Sequence, residues 1–315
     1  MKFAQIIAIA SLYSLVEARK ERPYVPPHYT NDENIIELTP STFDDYVFGT
    51  NYSTIVEFYA PWCGYCQQLA PEFKIAAKKA RNFAQFAAVN CEDERNKQFC
   101  ASQNIKSYPT LLTYRPPKTF REHKPRKSQF VTQQYERQRE APAIVDTMKG
   151  TVKSFYKKLT PNKLETFLSD RSGKPKVLVL TKTAPIPVLL KSLAVDFMNQ
   201  IDFVYLDTKR NDVLEEIQKF APELKSLDND TLLLIHPDEG VILHKGKMKK
   251  SEITDFLKSV AEPSDGPFSE RQKIIKAIKS GKAKTFSHYM KQKAKKAAKE
   301  ASENNESQTL KKDEL

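Results

Sequence analysis

Four cysteines in a chain of 315 residues are too few for a disulfide scaffold, so the fold must rest on hydrophobic cores and each cysteine pair has to be read by its position. Beyond the N-terminus nothing approaches the roughly 20 consecutive apolar residues of a membrane span. The apolar segments around Ile55 and Leu232 are strand-sized and flanked by charge. Acidic residues are missing over one stretch: Arg271 to Lys299 holds 11 Lys or Arg and no Asp or Glu, and supplies most of the net charge of +12. Charge spread over a whole surface would suggest nucleic acid, but charge confined to one segment reads as a solvated basic helix.

What is present at the two ends points to a compartment. Lys2 precedes an apolar run from Phe3 to about Val16, and Val16-Glu17-Ala18 puts small or branched residues at a cleavage position, the pattern of a signal peptide over residues 1–18. Lys312, Asp313, Glu314 and Leu315 spell KDEL, a retention address read by the KDEL receptor. Together they predict residence in the endoplasmic reticulum lumen, which argues against nucleic acid as a partner. Sequons at Asn51, Asn229 and Asn305 fit the same route. That compartment makes and reshuffles disulfides, so the close pair Cys63 and Cys66 directs attention to thiol chemistry.

The chain is long enough for two domains at roughly 100–200 residues each. From Asn34 to about Lys158, strands and helices alternate. Ile35–Leu38 reads as a strand, Thr54–Tyr59 as a buried β-branched and aromatic strand, and Leu69, Phe73, Ala76, Ala77 and Ala80 recur at helical spacing behind the cysteine motif. Further strands are expected at Phe86–Asn90 and Pro109–Tyr114. A polar insertion from Pro116 to about Gln134 reads as a surface loop with a final strand at its end, and Ala141 to Lys158 as a closing helix. A second unit from Thr160 to Glu262 repeats this order without the cysteines, with strands at Val177–Leu180, Phe203–Leu206, Thr231–His236 and Val241–His244. The expected organisation is therefore a signal peptide at 1–18, one α/β domain at 30–158, a second at 160–262 and a basic tail at 263–315. In that tail, segments near Lys273–Ile278 and Tyr289–Ala301 read as isolated helices.

Disulfide exchange needs an attacking thiolate, a second thiol that releases the mixed disulfide, and a fold that exposes one sulfur while sheltering the other. Between a central strand and a helix, Cys63 would lie at the helix N-terminus, where unpaired N–H groups and the dipole favour negative charge on sulfur, and Cys66, one turn along, would point inward. Zinc binding by all four cysteines is disfavoured, because the two pairs differ in spacing and the first is already placed for exchange.

The stretch Val56-Glu57-Phe58-Tyr59-Ala60-Pro61-Trp62-Cys63-Gly64-Tyr65-Cys66, with Ser107-Tyr108-Pro109-Thr110 downstream, resembles a catalytic domain of the protein disulfide isomerase family, built on the thioredoxin fold. The motif match covers about 125 residues, and the second domain matches by order of elements only. The resemblance implies two tandem thioredoxin-like domains, the second redox-inactive. It also implies a thiol-disulfide oxidoreductase whose only cofactor is its own cysteine pair. Cys63 would be the nucleophile and Cys66 the resolving thiol, with Trp62, Gly64, Tyr65, Tyr108 and a cis Pro109 around the substrate groove. Glu57 would be a buried carboxylate that takes the Cys66 proton, as burial raises a carboxyl toward the range useful for proton transfer. Arg115, six residues beyond Pro109, matches the family's mobile arginine, with a solvated loop arginine as the alternative. Cys91 and Cys100 are close enough in sequence to close a loop, and some relatives carry cysteines there. A stabilising disulfide is expected, with two free buried thiols as the alternative.

Two departures limit the carry-over. Tyr65 stands where the family usually has His, and a neutral tyrosine with one donor predicts a more reducing potential than in a His-containing relative. Ala88 stands where the family often has a lysine paired with the buried carboxylate. The expected partners are cysteine-containing folding polypeptides, a thiol oxidase or glutathione for reoxidation, and other lumenal chaperones. The competing reading is a chaperone or adaptor that docks through the second domain or the tail, its cysteines serving to tether.

Overall fold

The computed structural model describes residues 24–117, 126–171, 173–182, 186–209, 212–297 and 299. The leader expected at 1–18, Asn305 and the tetrapeptide Lys312 to Leu315 lie outside them.

In the first domain, β1 (Ile35–Glu37), β2 (Thr54–Tyr59), β3 (Gln85–Asn90), β4 (Thr110–Arg115) and β5 (Val131–Gln134) form one sheet in the order β1-β3-β2-β4-β5. β3 runs parallel to β1 and β2, whereas β4 is antiparallel to β2 and β5. All six residues of β2 are buried, as befits a central strand covered on both faces. Alternation along β1 and β2 sends Ile35, Ile55 and Tyr59 to one face and Ile36, Val56 and Phe58 to the other, each face lined by its own apolar cluster. The first face packs α2 (Gly64–Ala80) and α4 (Ala141–Thr151), and the second packs α1 (Pro40–Val47) and α3 (Glu94–Ser102). α2 buries the predicted residues Leu69, Phe73, Ala76, Ala77 and Ala80 and continues through Pro71.

The second domain repeats the plan. β6 (Lys157–Lys158), β7 (Lys176–Thr181), β8 (Asp202–Asp207), β9 (Thr231–His236) and β10 (Gly240–Leu243) form a sheet in the order β6-β8-β7-β9-β10, which is again first-third-second-fourth-fifth. α6 (Val188–Asp196) and α8 (Lys250–Leu257) cover one face; α5 (Leu164–Ser169) and α7 (Leu214–Gln218) cover the other. The tandem α/β arrangement implied by the resemblance is the one observed.

Two expectations are corrected. The closing helix ends at Thr151 and not at Lys158, because Val152 turns to extended backbone and the chain goes on to β6, the edge strand of the second sheet. The tail helix is not isolated. α9 (Glu270–Lys279) buries Ile274, Ile275 and Ala277, and the two isoleucines join Phe286 on the second face of the first sheet with Ile36, Tyr46, Val47 and Tyr114. Its lysines Lys273 and Lys276 stay exposed, so the basic face is solvated while the apolar stripe is covered. Arg271 fastens the helix start by donating to the carbonyls of Asp45 and Tyr46 at 2.8 Å each.

A buried polar junction joins the domains. Lys250 Nζ lies 2.8 Å from Asp196 Oδ2 and donates to Tyr52 Oη at 2.6 Å, to the Asn82 carbonyl at 2.6 Å and to Ser192 Oγ at 3.0 Å. Tyr52 in turn donates to Asp196. Asp265, in the link to the tail, accepts from Thr50 Oγ1 at 2.8 Å and from the Asn51 N–H at 2.6 Å. The Asn51 sequon therefore sits half-buried at this junction, whereas Asn229 is exposed ahead of β9.

Candidate active site

The cysteine motif occupies the crossing from β2 to α2. After Tyr59, the turn Ala60-Pro61-Trp62 delivers Cys63 as the N-cap of α2, in extended backbone, and the N–H groups of Cys66 and Gln67 close the first turn onto the Cys63 carbonyl at 3.0 Å each. Cys63 is at the edge of burial, 9 % exposed, while Cys66 is 0 % exposed, so only the first sulfur faces outward. Both are free thiols, and Cys63 Sγ donates to the Tyr108 carbonyl at 3.6 Å. Burial first, then the neighbouring Cys63 and Glu57, push the Cys66 thiol well above its ordinary value. Cys66 therefore cannot attack without a group to take its proton.

Around this pair, Trp62 and Tyr65 are exposed at 42 % and 69 %, and Trp62 meets Tyr108 edge to face at 6.4 Å. The Tyr108–Pro109 peptide is cis. A Cβ on Gly64 would touch nothing within 4 Å, so the chain itself does not demand glycine there. Beside Trp62 a shallow cavity of about 380 Å³ runs past Tyr24, Pro27, Pro61, Glu92 and Asp93. Cys91, following β3, and Cys100, in α3, are joined in a disulfide with Cα atoms 5.9 Å apart.

Glu57 lies in the middle of β2, 0 % exposed, opposite Ala88 of β3 and Leu111 of β4, on the same face as Cys66. Burial lifts its carboxyl to about 8, and the charge of Glu37 adds to the rise. Tyr29 donates its hydroxyl to Oε2 and Arg139 acts through its charge, both opposing it.

Arg115 does not reach this place. It is exposed at the far end of β4, opposite Val131, and six residues of strand at ~3.3 Å each carry it about 20 Å from Pro109. The arginine that returns to the site is Arg139, whose guanidinium donates to the Pro109 carbonyl at 3.3 Å. Its position just ahead of α4 is the signal that was available, since a loop leading into a helix that packs on α2 must pass the active-site end of the sheet.

Sequence reasoning also missed a second acid and two phenols. Glu37, at the end of β1, accepts from Tyr59 Oη at 2.6 Å and from the Tyr29 N–H at 3.3 Å, and burial raises it to about 7. His28 stacks on Tyr59 at 4.8 Å, donates its backbone N–H to Tyr59 Oη at 3.1 Å, and its imidazole is held below its ordinary value mainly by burial. The visible signal was Glu37 itself, a carboxylate two residues from Ile35 and so on the inward face of β1.

A sequence profile of the Thioredoxin family matches residues 34–136. Protein disulfide-isomerase MPD1 of Saccharomyces cerevisiae is 32% identical over 277 residues, a match covering 81% of this chain and 87% of the yeast protein. A thioredoxin domain-containing protein of Schizosaccharomyces pombe, described by its name as mitochondrial, is 26% identical over 75% of this chain and 62% of its own length. Among solved structures, crystal form II of ERdj5 aligns with 73% of this chain and 30% of its own, at a TM-score of 0.43 and 19% identity.

Proposed function

The chain belongs to the protein disulfide-isomerase family and is a thiol-disulfide oxidoreductase, and from that premise we propose that it acts on disulfides of folding secretory polypeptides through Cys63 and Cys66. The observation behind this reading is the contrast between a cysteine that keeps a small opening to solvent and one that is sealed, with a buried carboxylate on the same face of the sheet. Cys63 attacks a substrate disulfide, one substrate sulfur leaves as a thiolate, and a mixed disulfide forms. Cys66 then passes its proton to Glu57 and attacks Cys63 Sγ; the second substrate sulfur leaves, and the enzyme holds the Cys63–Cys66 disulfide. Run backward on a substrate dithiol, the same steps oxidise it, and if the first released thiolate attacks elsewhere in its own chain, the disulfides are rearranged.

Trp62, Tyr65 and the Tyr108-Pro109 turn border the outward sulfur and would form the walls against which a peptide lies. Arg139 takes the part expected of Arg115, because its charge faces Glu57 and its donor reaches Pro109. In the endoplasmic reticulum lumen, reoxidation would come from a thiol oxidase or glutathione, and the KDEL receptor and other lumenal chaperones would be partners. Trapping with Cys66→Ala tests the assignment. A stalled mixed disulfide should accumulate on Cys63 and vanish when Cys63 is also changed to Ser. Adducts that persist in the double variant would refute it.

A further inference from the structure

Glu57 has a problem of charge. The strand residues beside it, Ala88 and Leu111, offer no donor, and its Oε1 is buried without a hydrogen-bond partner. A carboxylate in such a place is strongly disfavoured unless donors compensate it. One donor arrives from outside the sheet. Tyr29, 2 % exposed in the segment before β1, packs edge to face against Tyr59 at 5.6 Å and Phe73 at 5.8 Å, which fixes its ring and aims its hydroxyl at Oε2.

Tyr29 also touches the second acid: its backbone N–H donates to Glu37 while its side chain serves Glu57, so one residue bridges both carboxylates. Glu37 has Tyr59 as a second donor. The other charged or titratable groups facing this cluster are Lys74 of α2, with Nζ 5.6 Å from the Tyr29 ring centre, His28 on Tyr59, Asp93 at the start of α3, whose charge acts on Glu37, Arg139 ahead of α4, and Cys66 itself.

We propose that Tyr29 is a positioning residue for the Cys66 step: its hydroxyl favours the carboxylate form of Glu57 against the penalty of burial and leaves Oε1 without a partner, able to receive the Cys66 proton, and the neighbouring Glu37 opposes that form. A fixed ammonium in this place would keep Glu57 ionised throughout, whereas a neutral phenol leaves it near the working pH, able to take a proton and give it back. The Glu57 value near 8 agrees with this. The inference rests on the reading of Glu57 as the proton acceptor.

The test uses the full-length protein carrying a thionitrobenzoate adduct on Cys63. Cys66 gives its proton to Glu57, its sulfur attacks Cys63 Sγ, the bond to the adduct breaks, and thionitrobenzoate leaves with the electron pair, which its absorbance follows. Tyr29→Phe removes one hydrogen bond to a charged acceptor and should move the pH midpoint of release up by about one to two units, slowing release at neutral pH about tenfold or more. Glu37→Gln removes the opposing charge and should move the midpoint down. Opposite shifts cannot come from a general loosening of the fold, and the second variant stands if the first fails to fold. An unchanged midpoint in a folded Tyr29→Phe protein, or upward shifts in both variants, overturns the role of Tyr29. A Glu57→Gln protein with the wild-type profile would instead overturn the reading of Glu57.

Discussion

Truncating Ile275 in the tail should destabilise the catalytic domain, although the whole second domain separates the two in sequence. Ile275 is 4 % exposed and lies in the cluster that covers the second face of the first sheet. Changing it to Ala deletes roughly three buried carbons at ~0.8 kcal/mol each, and a cavity adds to that transfer loss, so about 2–4 kcal/mol is expected. The probe is built in: Trp62 is the one tryptophan of the chain and lies beside Cys63, so its fluorescence reports unfolding of the first domain. With a urea slope of about 2 kcal/mol/M, the Trp62 transition should fall by about 1–2 M. Lys276→Ala on the exposed side of the same helix should stay within about 0.5 kcal/mol of wild type. If Ile275→Ala leaves the Trp62 transition where it was while the protein is otherwise folded, the tail is not part of the catalytic domain's core.

Two further outcomes follow from buried or exposed polar groups. Lys250→Met leaves Asp196 sealed at the domain junction without its cation, and the unfolding free energy from chemical denaturation should drop by about 3–5 kcal/mol; Lys250→Met with Asp196→Leu should regain most of it, and a double variant no better than the single would refute the charge argument. Tyr65→His puts beside Cys63 a ring that carries two donors and a positive charge when protonated, and equilibration with glutathione should show a potential about 30–60 mV more oxidising, equivalent to about 1.4–2.8 kcal/mol; an unchanged potential removes Tyr65 as the determinant.

The parts of the site that were legible in the sequence are those whose cause is local. A β-branched strand running into Cys63-Gly64-Tyr65-Cys66 and a helix fixes which sulfur caps the helix and which turns inward, and Glu57 follows from its place two residues before Tyr59 on a buried strand. Arg115 misled because sequence distance from Pro109 is small while a strand spends it in a straight line; Arg139 is 30 residues from Pro109 and is brought back by the β4–β5 hairpin and its following loop. Tyr29 could not be placed at all from pattern, since it belongs to no regular element and its role depends on an acid 28 residues away. The tail shows the opposite case. Ile274, Ile275 and Ile278 at helical spacing announced a buried stripe, but the run of lysines drew the reading toward solvent, and nothing local could say which face of which sheet was left to cover.

The segment before β1 and the tail after the second domain explain how one sheet is closed while its active end stays open. Tyr29 and His28, ahead of β1, seal the face that carries α2, Cys66 and Glu57, and the tail seals the other face through Ile274, Ile275 and Phe286. The tail therefore lies across the sheet from the α2 face, anchored by Arg271 to the end of α1 and by Asp265 to Thr50 and Asn51. The same link holds the second domain, because Ser264 donates to the carbonyl of Asp196 from its N–H at 2.8 Å and its hydroxyl at 3.0 Å. Gly266 shows how tight this passage is: at φ +83° it lies in the region that favours glycine, and a Cβ there would meet Asp196 Oδ1 at 2.2 Å and Tyr52 Oη at 2.8 Å. A side chain at 266 would thus displace the Asp196–Tyr52–Lys250 junction and loosen the tail together, while the Cys63 pocket, built from β2, α2 and the Tyr108-Pro109 turn, shares no residue with that passage.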